Sequence, residues 1–183
     1  FEYSANGVVN AVATIKASVL ETEADTLFLT SKTFGALPLL LTHLPEAGIN
    51  PQEIQYIGLQ RWDTPLQTLA LPGAQNGWFA SPNREVSSNF SKRFSEKYGK
   101  QPHLFTGLAY DGLAAIGALV STGQKNAVTK TALTQASGFQ GVSGVFRLLA
   151  DGTNERALAI AKIERKKVVL IDAAPVSFGR VWF

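Results

Sequence analysis

Cysteine is missing from this 183-residue sequence, which excludes a disulfide framework and any thiolate site and leaves the redox compartment open. Histidine occurs twice, as His43 and His103, with no other His or Cys at metal-ligand spacing, so a zinc or iron centre has no donor set. Charge is sparse: 17 Lys and Arg against 14 Asp and Glu leave +3, too little and too scattered for a nucleic-acid surface. The one basic cluster, Arg165, Lys166 and Lys167, reads as a solvated turn. No apolar run approaches the roughly 20 residues that a membrane-spanning helix needs. G-x-S-x-G, H-E-x-x-H and P-loop patterns are absent as well. The glycines of GFQGVSG precede a predicted strand instead of leading from one into a helix, so they read as a turn needing positive φ and not as a dinucleotide fingerprint.

What is present is ordinary globular composition, 45% hydrophobic and 17% charged, in a chain long enough for one domain or two small ones. Val8, Val12, Ile15 and Val19 recur at helical spacing and predict a helix from Asn6 to about Glu23, with Ser4 or Asn6 as its N-cap. DTLFLT at 25–30 reads as a strand buried on both faces. Leu37, Leu40, Leu41 and Leu44 line a second helix that ends near Gly48, with Pro45 kinking or shortening its last turn. IQYIGL at 54–59 is a second strand, and the order helix, strand, helix, strand predicts a parallel sheet with crossover helices. A loop with one helical turn leads to a third strand at 77–81. Val86, Phe90, Phe94 and Tyr98 mark a helix stopping at Gly99, and Ala109, Leu113, Ile116 and Val120 mark another over 106–121. A short helix over 127–136 and closing strands at 144–149, 156–164 and 167–172 complete the pattern, ADGTN and RKK being turns; the apolar RVWF end is expected to pack.

Asp63, Asp111 and Asp151 are the carboxylates available for an acid/base pair, but Asp151 in ADGT reads as a turn residue and Asp63 in WDTP as a side chain bonding its own backbone. No nucleophile, base and orienting group assemble, so a catalytic role and a cofactor are not expected. In open α/β sheets ligands bind outside the carboxyl ends of the strands. Two predicted strands end in LTSKT and GLQRWDTP, which makes Thr30, Ser31, Lys32, Gln60, Arg61 and Trp62 the candidate site residues. The competing reading is that loops are polar in any case and that Trp62 is a packing anchor.

The stretches ADTLFLTSKTFGALPLLLTHLPEAGI, QYIGLQRWDTP, GWFASP, FSKRFSEKYGKQPHLFTGLAYDGLAAIGALV and GFQGVSGVFRLLADGTNERALAIAKI, in this order, resemble the second half of a type I periplasmic binding protein of the branched-chain amino-acid class. The GWFASP to AYDG series and the GVSGVFRLLADGTNERALAI tail look like the penicillin-binding protein activator branch. The resemblance implies an α/β fold of two lobes, each a Rossmann-like parallel sheet with flanking helices, the first incomplete here. Residues 1–80 and 155–173 would be the second lobe, 84–148 the returning part of the first, and 80–83 and 149–154 hinge crossings. A chain opening at FEYSANG without Met is then expected to be a piece of a longer one. The resemblance further implies a non-catalytic periplasmic protein, lipid-anchored through an N-terminal segment, that binds a small polar ligand such as an amino acid between its lobes. Its protein partner would be a membrane permease or, in the activator branch, a peptidoglycan synthase. Ligand-facing positions of the family fall near Lys32 or Thr33 and near Gln60, where amino-acid binders carry an aromatic and an acid; this sequence has neither. Arg61 and Trp62 suit an anionic or carbohydrate-like ligand instead, and Tyr110 in LAYDG is a further residue bordering the cleft or packing at the hinge.

Overall fold

A computed structural model describes residues 5–103 and 105–178. By contacts the chain divides into two compact units, one holding the residues up to Ser81 with Ile160–Asp172, the other Pro82–Ala159 and the residues from Ala173 on.

In the first unit the periodic segments fold as their apolar spacing dictates. Helix α1 (Ala5–Thr22) buries Val8 and Val12, with Ile15 and Val19 packed beside them. Ser4, one of its two expected caps, lies outside the described residues, and Asn6 stands inside the helix. Strand β1 (Thr26–Leu29) leads to α2 (Leu37–Glu46), whose Leu37, Leu40, Leu41 and Leu44 are all buried. Strand β2 (Gln55–Gly58) runs parallel to β1, pairing Thr26 with Gln55 and Leu29 with Gly58, and β3 (Trp78–Ser81) runs parallel to β2. Between β2 and β3 lie two 3₁₀ turns, Leu66–Ala70 and Pro72–Ala74. Pro45 sits one residue before the end of α2 without cutting it short. Lacking an N–H, it gives the Leu41 carbonyl no helical donor, and Gly73 closes over that carbonyl so tightly that any Cβ would collide with it.

Strands β7 (Ala159–Glu164) and β8 (Lys167–Asp172) complete the first sheet, in the order β1, β2, β3, β7, β8 once the intervening strands are counted. They are antiparallel, joined through Arg165 and Lys166, both at positive φ (50° and 62°), as a two-residue hairpin turn demands.

The second unit starts at Asn83, whose side chain caps α3 (Arg84–Tyr98) by accepting from the Val86 N–H; Gly99 ends the helix at φ 68°. Helix α4 (Thr106–Val120), the short α5 (Lys130–Leu133, not 127–136) and strands β4 (Phe139–Gly141), β5 (Gly144–Leu148) and β6 (Asn154–Arg156) follow, the strands forming an antiparallel sheet β4-β5-β6. Three expectations need correction. The strand foreseen at 156–164 is two strands in different sheets, parted where Ala157 N–H turns to the Val145 carbonyl (2.9 Å). Strand β1 is not buried on both faces, since Thr26 and Phe28 are exposed and Leu29 alone is buried; residues 149–153 form the β5–β6 turn, with Leu149 N–H on the Thr153 carbonyl (2.9 Å).

The third correction concerns α4. Its expected core face is outside: Leu113 is 72% exposed, with Ile116 and Val120 also exposed. Ala115 and Leu119 are buried instead, packing with Phe139 and Phe146, and Asp111 is buried on the same side. The Asp111 carboxylate accepts from Val142 N–H and pairs with Arg156 Nη1, both at 2.7 Å, and the Arg156 guanidinium lies 4.8 Å from the Phe146 ring centre. A Cβ on Gly141 would stand 2.7 Å from Asp111 Oδ2, so glycine is the residue that lets β4 pass this carboxylate. The RVWF end lies outside the described residues.

Candidate functional site

Parallel register brings β1 and β2 to the same level at their carboxyl ends, where Leu59 N–H bonds the Leu29 carbonyl (3.0 Å). After β1 the chain turns sharply, the Lys32 carbonyl accepting from Gly35 and Leu37 N–H groups (2.9 and 3.2 Å), and enters α2. Thr33 N–H then reaches Gln60 Oε1 at 3.3 Å, tying the two strand-end loops together. Thr30 and Lys32 are exposed on this rim, while Ser31 and Gln60 are half-buried.

Arg61, Trp62 and Asp63 alternate outward, inward, outward. Trp62 is completely buried, stacked on Phe79 with ring centres 6.5 Å apart. Its indole occupies the space over Gly58 and Gly77, where any Cβ would run into the ring. The proposed stacking of a ligand on Trp62 is therefore not met: both faces are enclosed, and the packing-anchor reading holds for this side chain. The indole N–H is buried without a hydrogen-bond partner, a cost accepted for the fit of the ring.

Pinned by that ring, the flanking residues meet on the outside. Arg61 Nε and Nη2 donate to the two oxygens of Asp63, each at 2.8 Å. Asp63 was expected to bond its own backbone; the guanidinium takes it because a charge-assisted, two-pronged pair is the stronger interaction. Sequence reasoning missed this pair, whose only signal is an Arg-x-Asp spacing around an inward aromatic. The other carboxylates weighed for acid/base work are also held by donors. Asp111 is bound as described, and Asp151 accepts from the Thr153 hydroxyl (2.7 Å) and N–H (2.9 Å). The hydroxyl bond first, then the N–H bond, holds the Asp151 carboxyl below the usual carboxylate range.

Tyr110 belongs to the second unit. Its ring packs 5.3 Å from Phe90 in an aromatic row that continues through Phe94 to Tyr98, beside a groove of about 500 Å³ between α3 and α4 edged by Arg93 and Lys97. At the amino ends of β1 and β2 there is a second hollow, of about 440 Å³. Along its wall Asn76 Nδ2 donates to Gln52 Oε1 (2.7 Å) and Gln55 Nε2 to the Tyr56 and Asn76 carbonyls (2.8 and 3.1 Å). This is the end of the sheet opposite to that used by ligands in open α/β folds.

No curated protein sequence matches the chain. Among solved structures it is similar to a candidate branched-chain amino acid ABC transporter protein from Rhodospirillum rubrum (TM-score 0.70, 17% identity, 87% of this chain and 48% of that one). It is also similar to a solute-binding protein of an R. palustris ABC transporter in complex with benzoate (TM-score 0.56, 16% identity, 94% and 48%). A third likeness is to the C-domain of LpoA from Haemophilus influenzae, a regulator of PBP1A (TM-score 0.50, 14% identity, 87% and 49%). At these identities the likeness is one of fold, and the chain spans about half the length of each of these structures. The family model for the periplasmic binding protein matches residues 2–167, so this chain belongs to that family, with its type I α/β fold.

Proposed function

We propose that the chain is part of a non-catalytic, extracytoplasmic solute-binding protein of the ABC-transporter type, which holds a small polar ligand against the carboxyl ends of β1 and β2. The observation that carries this reading is the Thr33 to Gln60 bond, which joins the two loops into one surface bearing Thr30, Ser31, Lys32 and Arg61. Membership of the periplasmic binding protein family supports it, as does the family's location outside the cytoplasm. A permease as partner and a lipid anchor belong to the same proposal. So does the assignment of the first unit to the second lobe and of the second unit to the returning part of a first lobe. The apolar side of α4 supports that assignment, since Leu108, Leu113, Ile116 and Val120 are exposed in a chain half as long as the structures it matches.

Native mass spectrometry of the complete protein purified from its own host tests the reading. A chain about twice this mass retaining a small molecule is the expected spectrum. An empty chain that takes up nothing from amino-acid, organic-acid and sugar libraries overturns it.

One observation favours a second reading, a regulator that contacts a peptidoglycan synthase: the aromatic groove on α3 and α4 is a surface suited to a protein partner. The two readings compete for the same helices. Slow amide exchange along the outer face of α4 in the full-length protein favours cover by the chain itself, and fast exchange that slows when a synthase is added favours the regulator.

A further inference from the structure

Resting on the solute-binding reading, we propose that the site at the ends of β1 and β2 selects a carboxylate solute that lacks an amino group, with Arg61 as the selecting residue and Asp63 as its positioning residue. The argument is one of donors against acceptors. The loops 30–36 and 59–65 contain one acidic residue, Asp63, and two cations, Lys32 and Arg61. Two cations less one acid leave +1 on this surface. Asp63 is not free to receive an ammonium group, since its side chain is 12% exposed and both of its oxygens are taken by Arg61. The Gln60 side-chain carbonyl is likewise engaged by Thr33 N–H.

The donors, by contrast, are left over. Arginine carries five N–H donors in a flat fork; Asp63 uses the edge formed by Nε and Nη2, and the Arg61 side chain remains 37% exposed. The outer edge, with both Nη1 hydrogens and the second on Nη2, is available for another carboxylate in the two-pronged geometry that guanidinium favours. Lys32 is exposed and has no carboxylate partner among the described residues, and Thr30 and Ser31 add hydroxyls beside it. Asp63 holds Arg61 at a fixed angle in the free protein, so less of the ordering cost falls on binding. Trp62 is turned inward and offers no plane to a sugar ring; Phe34, on the loop 30–36, is the exposed aromatic of these two loops.

The test is isothermal titration of the full-length protein with two probes that differ by one group, L-leucine and 4-methylpentanoate, alongside benzoate, a neutral sugar panel and the Arg61→Ala and Arg61→Lys variants. Either 4-methylpentanoate or benzoate binding at least about 10-fold tighter than L-leucine, with at least a 10-fold loss in both variants, is the expected result. Lysine keeps the charge but not the fork, so its loss separates two-pronged recognition from charge alone. L-leucine or a sugar binding more tightly than the carboxylates overturns the inference and leaves the solute-binding reading standing. Carboxylate binding that is indifferent to both variants overturns the role of Arg61. No binding by any probe overturns the inference together with the site on which it rests.

Discussion

The two units treat their apolar helices differently. In the first, α2 turns four leucines inward, and the sheet, α1 and the turn at Gly73 enclose them. In the second, α4 is as apolar as α2, yet it buries an aspartate and leaves Leu113 in solvent. A helix that is apolar all round belongs in an interior. The difference teaches that the first unit encloses the leucine face of its helix, while the second is built around a polar strut and leaves the outer face of α4 exposed.

The contrast can be broken in three places, from the largest effect down. Trp62→Ala empties the space over Gly58 and Gly77 and costs about 4 kcal/mol of stability. Urea unfolding measures it, and a loss under about 1 kcal/mol would show that the first core does not depend on the ring. Asp111→Ala leaves Arg156 without its carboxylate and Val142 N–H without an acceptor, at a cost of about 3 kcal/mol. The same unfolding experiment on Asp111→Asn, which keeps an acceptor but loses the charge, should fall between the alanine variant and the parent. Leu113→Ala changes the stability of this chain by less than about 0.5 kcal/mol. In the full-length protein the same substitution should cost about 2 kcal/mol or more if the face is covered, and the comparison of the two constants sharpens or removes the contrast.

How much was legible in the sequence follows the same division. Strands β1 to β3 and helices α1 to α3 lie close to where their apolar runs and spacings put them, although β1 leaves Phe28 exposed and the α3 stripe buries Phe90 while Val86 and Tyr98 stay outside. Helix α4 offers no such choice: apolar residues surround it, and its single charge goes inward because Arg156, 45 residues later, and Val142 N–H await it. That long-range match has no local signature. The GFQGVSG glycines show both sides of the problem. Gly138 and Gly144 do adopt positive φ (67° and 120°) as turn residues should, yet Gly141 is glycine because of Asp111, and the strand β4 runs between them unseen. At the site, strand order alone located Thr30, Ser31, Lys32, Gln60 and Arg61 at one end of the sheet. It could not tell which way Trp62 points, since that depends on two glycines, Gly58 at the end of β2 and Gly77 just before β3.

Those two glycines and the indole have a consequence for how this protein can vary. Gly58, Trp62 and Gly77 share one volume, so a methyl group gained at either glycine is a volume the ring must give up. Substitution at any one of the three should be harmful alone and tolerated only with a compensating change at another, giving a coupling that a double-mutant cycle reads directly. The three positions drift together or not at all, and lineages carrying a smaller ring at 62 are the ones in which alanine becomes permissible at 58 or 77.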